Sequence, residues 1–280
     1  MLVTITILVI LLLAFGSILT SSQRAVSASQ EVMKGNNAVA AAASLLREDL
    51  FNLAPDGFLA VQRTGSIDRI VFTTVGTYKS MVSTSPPVAN SALIDYQVSG
   101  DDVLCRRAFL LIPGFAGSEV DCLDRYLAYY KLLDPNELVN HLDNDIGAPN
   151  PPVNPNSWGD IKALWPFVAH PCEQFDVAWT PSLIDPDDPN NAGEWYSCPA
   201  DETRLWPGEE HDGGPYYEGE YVEDNGSYFM CRVPSTTAAT SVTTDWLPVD
   251  KFPQALRIRF RIGDTPAAET FELIVRLGKN

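Results

Sequence analysis

The side chains able to carry chemistry are few and scattered. There are three histidines, His141, His170 and His211. None lies in a His-Glu-x-x-His frame, and no Gly-x-Ser-x-Gly elbow, Walker loop or dinucleotide fingerprint occurs. Gly114-Phe-Ala-Gly-Ser118 shares only the outline of a nucleophile turn. Glu209 and Glu210, beside Trp206, Tyr216 and Tyr217, form the kind of carboxylate pair a glycosidase uses. Acids are abundant throughout this composition, however, and no enzyme is expected.

Oxygen ligands for a cation gather at Asp185, Asp187, Asp188 and Asn190, with Glu194 nearby. Asp143-Asn144-Asp145 is a shorter cluster. Calcium takes six to eight oxygens in flexible geometry, so it is the candidate ion, although neither cluster follows EF-hand spacing. A solvated acidic loop is the plainer reading, and no cofactor is required. Cysteines stand at 105, 122, 172, 198 and 231. None forms a Cys-x-x-Cys pair, which argues against zinc. In an exported domain such spacing reads as disulfides. Cys122, Cys172, Cys198 and Cys231 are the candidates, with Cys105, in a strand pattern, as the odd thiol. Pairing among them is left open.

These groups must be positioned by the elements around them, and the first is a helix. From Met1 to Leu19 the only residues that are not apolar are Thr4, Thr6, Gly16 and Ser17, and no charge precedes Arg24. Nineteen helical residues span about 29 Å, the thickness of a bilayer's hydrocarbon core. A cleaved signal is the competing reading, with Val26-Ser27-Ala28 as a possible site. Residues 20 to 53 contain no proline, and Met33, Ala40, Ala43, Leu46, Leu50 and Leu53 keep a helical rhythm. That favours one continuous helix ending before Pro55-Asp56-Gly57.

The rest divides by composition. Residues 55–111 read as strands: Ile67 to Val75, Ala92 to Val98, and Val103 to Ile112 after a polar turn. Residues 251–280 read as a closing hairpin. Leu256, Ile258, Phe260 and Ile262 alternate with Arg257, Arg259 and Arg261, and Phe271, Leu273, Val275 and Leu277 repeat the period. Carboxylates opposite those arginines would help set register. Between them, residues 112–250 hold 25 of the 36 acids but 5 of the 19 bases, and all six tryptophans. That stretch reads as one aromatic- and acid-rich insertion with short helices, one of them over Val120 to Leu133. Its tryptophans are expected to form mostly a small core. The expected fold class is α+β: a long N-terminal helix over residues 1–54 with an antiparallel β-sheet head. The net charge of −17 excludes nucleic acid as a natural partner.

The order of parts resembles the type IV pilin superfamily. Met1-Leu-Val-Thr-Ile-Thr-Ile-Leu-Val-Ile-Leu-Leu-Leu is similar to the segment after that family's processing motif. Leu45-Leu46-Arg47-Glu48-Asp49-Leu50, Leu93-Ile-Asp-Tyr-Gln-Val98, Val103-Leu-Cys-Arg-Arg107 and the hairpin 255–277 look most like a J-class minor pseudopilin of type II secretion. The resemblance covers residues 1–111 and 248–280. It implies a filament subunit at or near the tip, single-pass in the inner membrane, with its head in the periplasm. The implied partners are other pseudopilins or pilins, membrane lipid and secreted cargo. Leu2, Val3, Ile5, Ile7, Leu8, Leu11, Leu12, Phe15 and Gly16 would be the assembly face. The basic leader and the glutamate at the helix start are not in this sequence, so the reading places residues upstream of Met1. A membrane-anchored binding or hydrolytic domain is the alternative.

Overall fold

The computed structural model describes residues 2–79, 88–98, 102–111, 120–121, 167–185, 188–241, 244–262 and 270–277. Helix α1 runs over Leu2–Phe51, about 75 Å at helical rise. In chain order the strands are β1 (Leu59–Thr64), β2 (Ile67–Lys79), β3 (Val88–Val98), β4 (Leu104–Leu111), β5 (Val120–Asp121) and β6 (Phe167–Ala169). Next come β7 (Cys172–Thr180), β8 (Leu183–Asp185), β9 (Asp188–Ala192), β10 (Tyr196–Ser197), β11 (Thr203–Trp206) and β12 (Glu209–Glu210). The last are β13 (Tyr221–Asp224), β14 (Ser227–Cys231), β15 (Trp246–Val249), β16 (Ala255–Ile262) and β17 (Thr270–Arg276). The fold is α+β, as expected.

The helix stops where its hydrogen-bond partners change. Asn52 donates its side-chain amide to the Glu48 carbonyl, and the Leu53 amide turns back to Leu50. Gly57 then lets the chain pass against β2. A Cβ there would meet Thr73 Oγ1 at 1.7 Å, so only glycine fits. The Phe58 amide instead donates to that same hydroxyl at 2.9 Å.

Two sheets clasp the core. The larger runs β11-β1-β2-β3-β4-β5, with β6 also on β4. The second runs β10-β7-β16-β17. Val39, Ala42, Leu46 and Leu50, at steps of three and four, lie buried on one face of α1. They join Val61, Ile70, Phe72, Ile94, Phe175, Val177, Leu256 and Ile258 in one apolar cluster. A third sheet, β12-β13-β14-β15, has its own small core of Tyr216, Val222, Cys231 and Trp246.

The hairpins at both ends of the head pair as the polar turn after Val98 and the alternation after Ala255 predict. β3 lies antiparallel to β4, and β16 to β17 with Arg259 opposite Glu272. The stretch expected as an insertion does more than interrupt them. Its β7 lies between β10 and β16, and its β11 forms the edge beside β1. The reason is visible in β7, where Phe175, Val177 and Trp179 are buried with a period of two. Val120 and Asp121, read as the start of a helix, instead form β5, parallel to β4.

Trp206 locks these sheets together. Its ring meets Trp179 of β7 edge-on at 4.9 Å and Tyr221 of β13 at 5.7 Å, with both tryptophans fully buried. Edge-to-face pairs of this kind add about 0.5–1.5 kcal/mol each beyond area burial.

Candidate functional site

The helix presents two regimes along its length. Its second half is fixed in the head by packing and by one polar clamp. Arg106 on β4 donates from Nε and Nη2 to the two oxygens of Asp49, at 2.6 and 2.8 Å. The Tyr96 hydroxyl donates to the same carboxylate at 2.6 Å. A carboxylate in the last helical turn opposes the helix dipole, so a cation there is needed to offset it. Burial acts to lower the Arg106 guanidinium, but the Asp49 hydrogen bonds and charge outweigh it and raise it above its ordinary value. Burial, followed by the Asp49 charge, raises the Tyr96 phenol well above its usual range.

The first half of the described helix side chains is bare. Phe15, Ile18, Leu19, Val26, Val32 and Met33 are all exposed, Phe15 to 70%. Fully burying a side chain of this size is worth about 1.5–3 kcal/mol. Here the protein covers none of them substantially. Of the expected assembly residues, Phe15 and Gly16 are exposed, and a Cβ at Gly16 would meet nothing within 4 Å. Leu2, Val3, Ile5, Ile7, Leu8, Leu11 and Leu12 lie in α1, but their side chains fall outside the described residues. Among the described residues no helix is long and apolar enough to cross a membrane.

Within the head, charged groups bridge the two main sheets. Arg63 of β1 donates from Nε and Nη2 to Asp68 at 2.7 and 3.0 Å, and reaches Asp176 of β7 at 3.4 Å. The Val177 amide donates to Asp68 at 2.6 Å. Arg69 and Asp95 form a second buried pair, at 2.9 and 2.7 Å. No sequence motif marks these pairs. The adjacent Asp68 and Arg69 inside the apolar run of β2 are the available signal.

The other expected sites are dispersed. Asp185 ends β8, and Asp188 and Asn190 lie in β9, which pairs with it. Asp187 and the Asp143-Asn144-Asp145 cluster lie outside the described residues, as do the side chains of Asp185, Asp188 and Asn190. Among the described residues no group of three or more histidine, cysteine or acidic side chains is placed to hold a metal. Cys172, Cys198 and Cys231, expected in disulfides, are free buried thiols, as is Cys105; Cys122 lies outside the described residues. They sit in separate settings. Cys198 hydrogen-bonds the Val61 and Glu202 carbonyls, Cys172 the Gln174 carbonyl, and Cys231 the Val233 carbonyl. Burial pushes Cys105 up to about 11, and Cys172 and Cys198 up to about 12. Trp179, Trp206 and Trp246 are core residues, and Trp195 is half-buried; Trp158 and Trp165 lie outside the described residues. Glu210 is exposed, and Gly114 to Ser118 and His141 lie outside the described residues. His211 stacks on Tyr216 at 5.0 Å.

No family model and no curated protein matches the sequence. A type IV-like pilin from Thermus thermophilus is similar in structure at 10% identity and a TM-score of 0.37, over 86% of this chain and 95% of that one.

Proposed function

We propose that this chain is a pilin-like structural subunit that assembles with other subunits through its N-terminal helix. In its finer form, the reading is a minor pseudopilin of a type II secretion filament, at or near the tip. Its helix crosses the inner membrane once before assembly, and its head stays in the periplasm. The partners are then other pilins or pseudopilins, membrane lipid before assembly, and secreted cargo.

One observation carries this reading. A single unbroken helix is buried from Val39 to Leu50 in its own head, yet from Phe15 to Met33 every large apolar side chain is exposed. A helix built that way holds the head rigidly at one end and offers the other to a partner. Such a helix exchanges lipid contacts for helix contacts at little cost, because packing rather than transfer from water drives association there.

A photo-crosslinking residue at Phe15 or Leu19, in the full chain in its native cell, tests this. The expected adducts are with other subunits that carry an apolar N-terminal helix. Adducts with lipid alone would select the alternative, a membrane-anchored domain that acts singly.

A further inference from the structure

The three arginines of β16 are not equivalent. Arg259 lies across from Asp176 on one side and Glu272 on the other, and donates to Glu272 at 2.7 Å. Arg261 pairs with Glu173 at 3.0 Å. Arg257 lies between Ala178 and Ile274, so neither cross-strand neighbour offers a carboxylate. Among the described residues none forms an ion pair with it. Its guanidinium instead sits 4.7 Å from the centroid of the Trp195 ring. An aromatic face supports a cation without using its N–H donors, so the fork stays available.

That fork opens on a cavity of about 170 Å³, lined by Arg63, Arg257, Arg259, Asp176 and Ser197 among others. Three cations face one acid there. Arg63 is already committed to Asp68 and Asp176, and Arg259 to Glu272. Burial, and then the like charge of Arg259, press the Arg257 guanidinium below its ordinary value. A bound anion would favour the charged form and so offset this lowering. The chain as a whole carries −17, so anions are not steered here from a distance. Recognition must be local. The cavity is smaller than the usual pocket for a drug-sized ligand, which suits one small group better than a sugar or nucleotide.

We propose that this cleft binds a single carboxylate group. Arg257 holds it with both N–H arms against the Trp195 platform, and Arg259 and the Ser197 hydroxyl make secondary contacts. The planar guanidinium fork matches a carboxylate in geometry and charge. The site lies on the head and stands or falls independently of how the helix assembles.

Titration calorimetry on the full chain in detergent micelles, at fixed ionic strength, tests this with glutarate and, in parallel, inorganic phosphate. Saturable glutarate binding is expected, weakened at least tenfold by Arg257→Gln and also by Arg257→Lys, which keeps the charge but loses the fork. Phosphate is expected to bind more weakly. Absent glutarate binding, or equal affinity in Arg257→Gln, overturns the proposal; tighter phosphate binding overturns the carboxylate assignment. Circular dichroism checks the fold. If Arg257→Gln does not fold, Trp195→Leu removes the platform instead, and unchanged affinity in that variant overturns the proposal.

Discussion

Arg106 grips Asp49 through two parallel hydrogen bonds of 2.6 and 2.8 Å, and so ties the last turn of the helix to the fourth strand of the head. Both side chains are largely buried, at 17% and 6% exposure. Removing one partner leaves a charge stranded in a low-dielectric setting. Arg106→Leu is therefore expected to lower unfolding stability by about 3–5 kcal/mol. The double variant Asp49→Leu with Arg106→Leu should lose less than Arg106→Leu alone. Urea unfolding of the three proteins checks the order.

The two halves of the helix should respond differently to truncation. Leu46 is fully buried, and Leu46→Ala is expected to cost about 2–5 kcal/mol. Leu19 is exposed, and Leu19→Ala should change head stability by no more than about 0.5 kcal/mol. If assembly uses the bare half, the same Leu19→Ala change should reduce crosslinking between subunits. Parallel unfolding and crosslinking measurements separate the two effects.

Trp206 should behave as a joint rather than as ordinary core. Trp206→Ala is expected to cost about 3–5 kcal/mol, and Trp206→Phe less. Because the ring touches both Trp179 and Tyr221, the alanine variant should also loosen the third sheet from the rest. Faster limited proteolysis between Gly208 and Asp250, measured beside near-ultraviolet circular dichroism, reads that loosening.

Stability should fall in mild alkali. An unfolded thiol ionises near about pH 8.5, whereas Cys172 and Cys198 are pushed up to about 12 in the fold. The unfolded state then gives up protons first, so each thiol withdraws stability as pH rises above about 8.5, by up to about 1.4 kcal/mol per pH unit. Below that pH the thiols contribute no slope. Cys172→Ala should flatten the decline between about pH 8.5 and 10, and thiol reagents should label Cys172 and Cys198 only on unfolding.

The parts legible in sequence were those set by local period. The helix shows in its unbroken apolar run, and β16 and β17 in the alternation of Leu256, Ile258 and Phe260 with arginines. β7 has the same alternation, in Phe175, Val177 and Trp179, but acids and prolines around it hid the signal. Its partner β16 lies far downstream, and no local rule names a distant partner. The cleft was less legible still. It depends on Ala178 and Ile274 standing where acids stand beside Arg259, and on Trp195 arriving from a separate turn. Composition suggested disulfides, whereas the described cysteines are spread through different parts of the core as separate thiols.

The topology also sets an order of events in time. The helix packs against β6, β16 and β17, while β16 is held between β7 and β17. The buried face from Val39 to Leu50 is made early in synthesis, but part of its cover, β16 and β17, is made late. Until residues 255–276 have emerged and paired, that face is covered only in part, by β6 and the first strands. Closing so long a loop is slow compared with forming a hairpin. Newly made chain therefore carries an incompletely covered apolar helix through most of its synthesis, and its safe passage rests on whatever shelters that helix in the meantime.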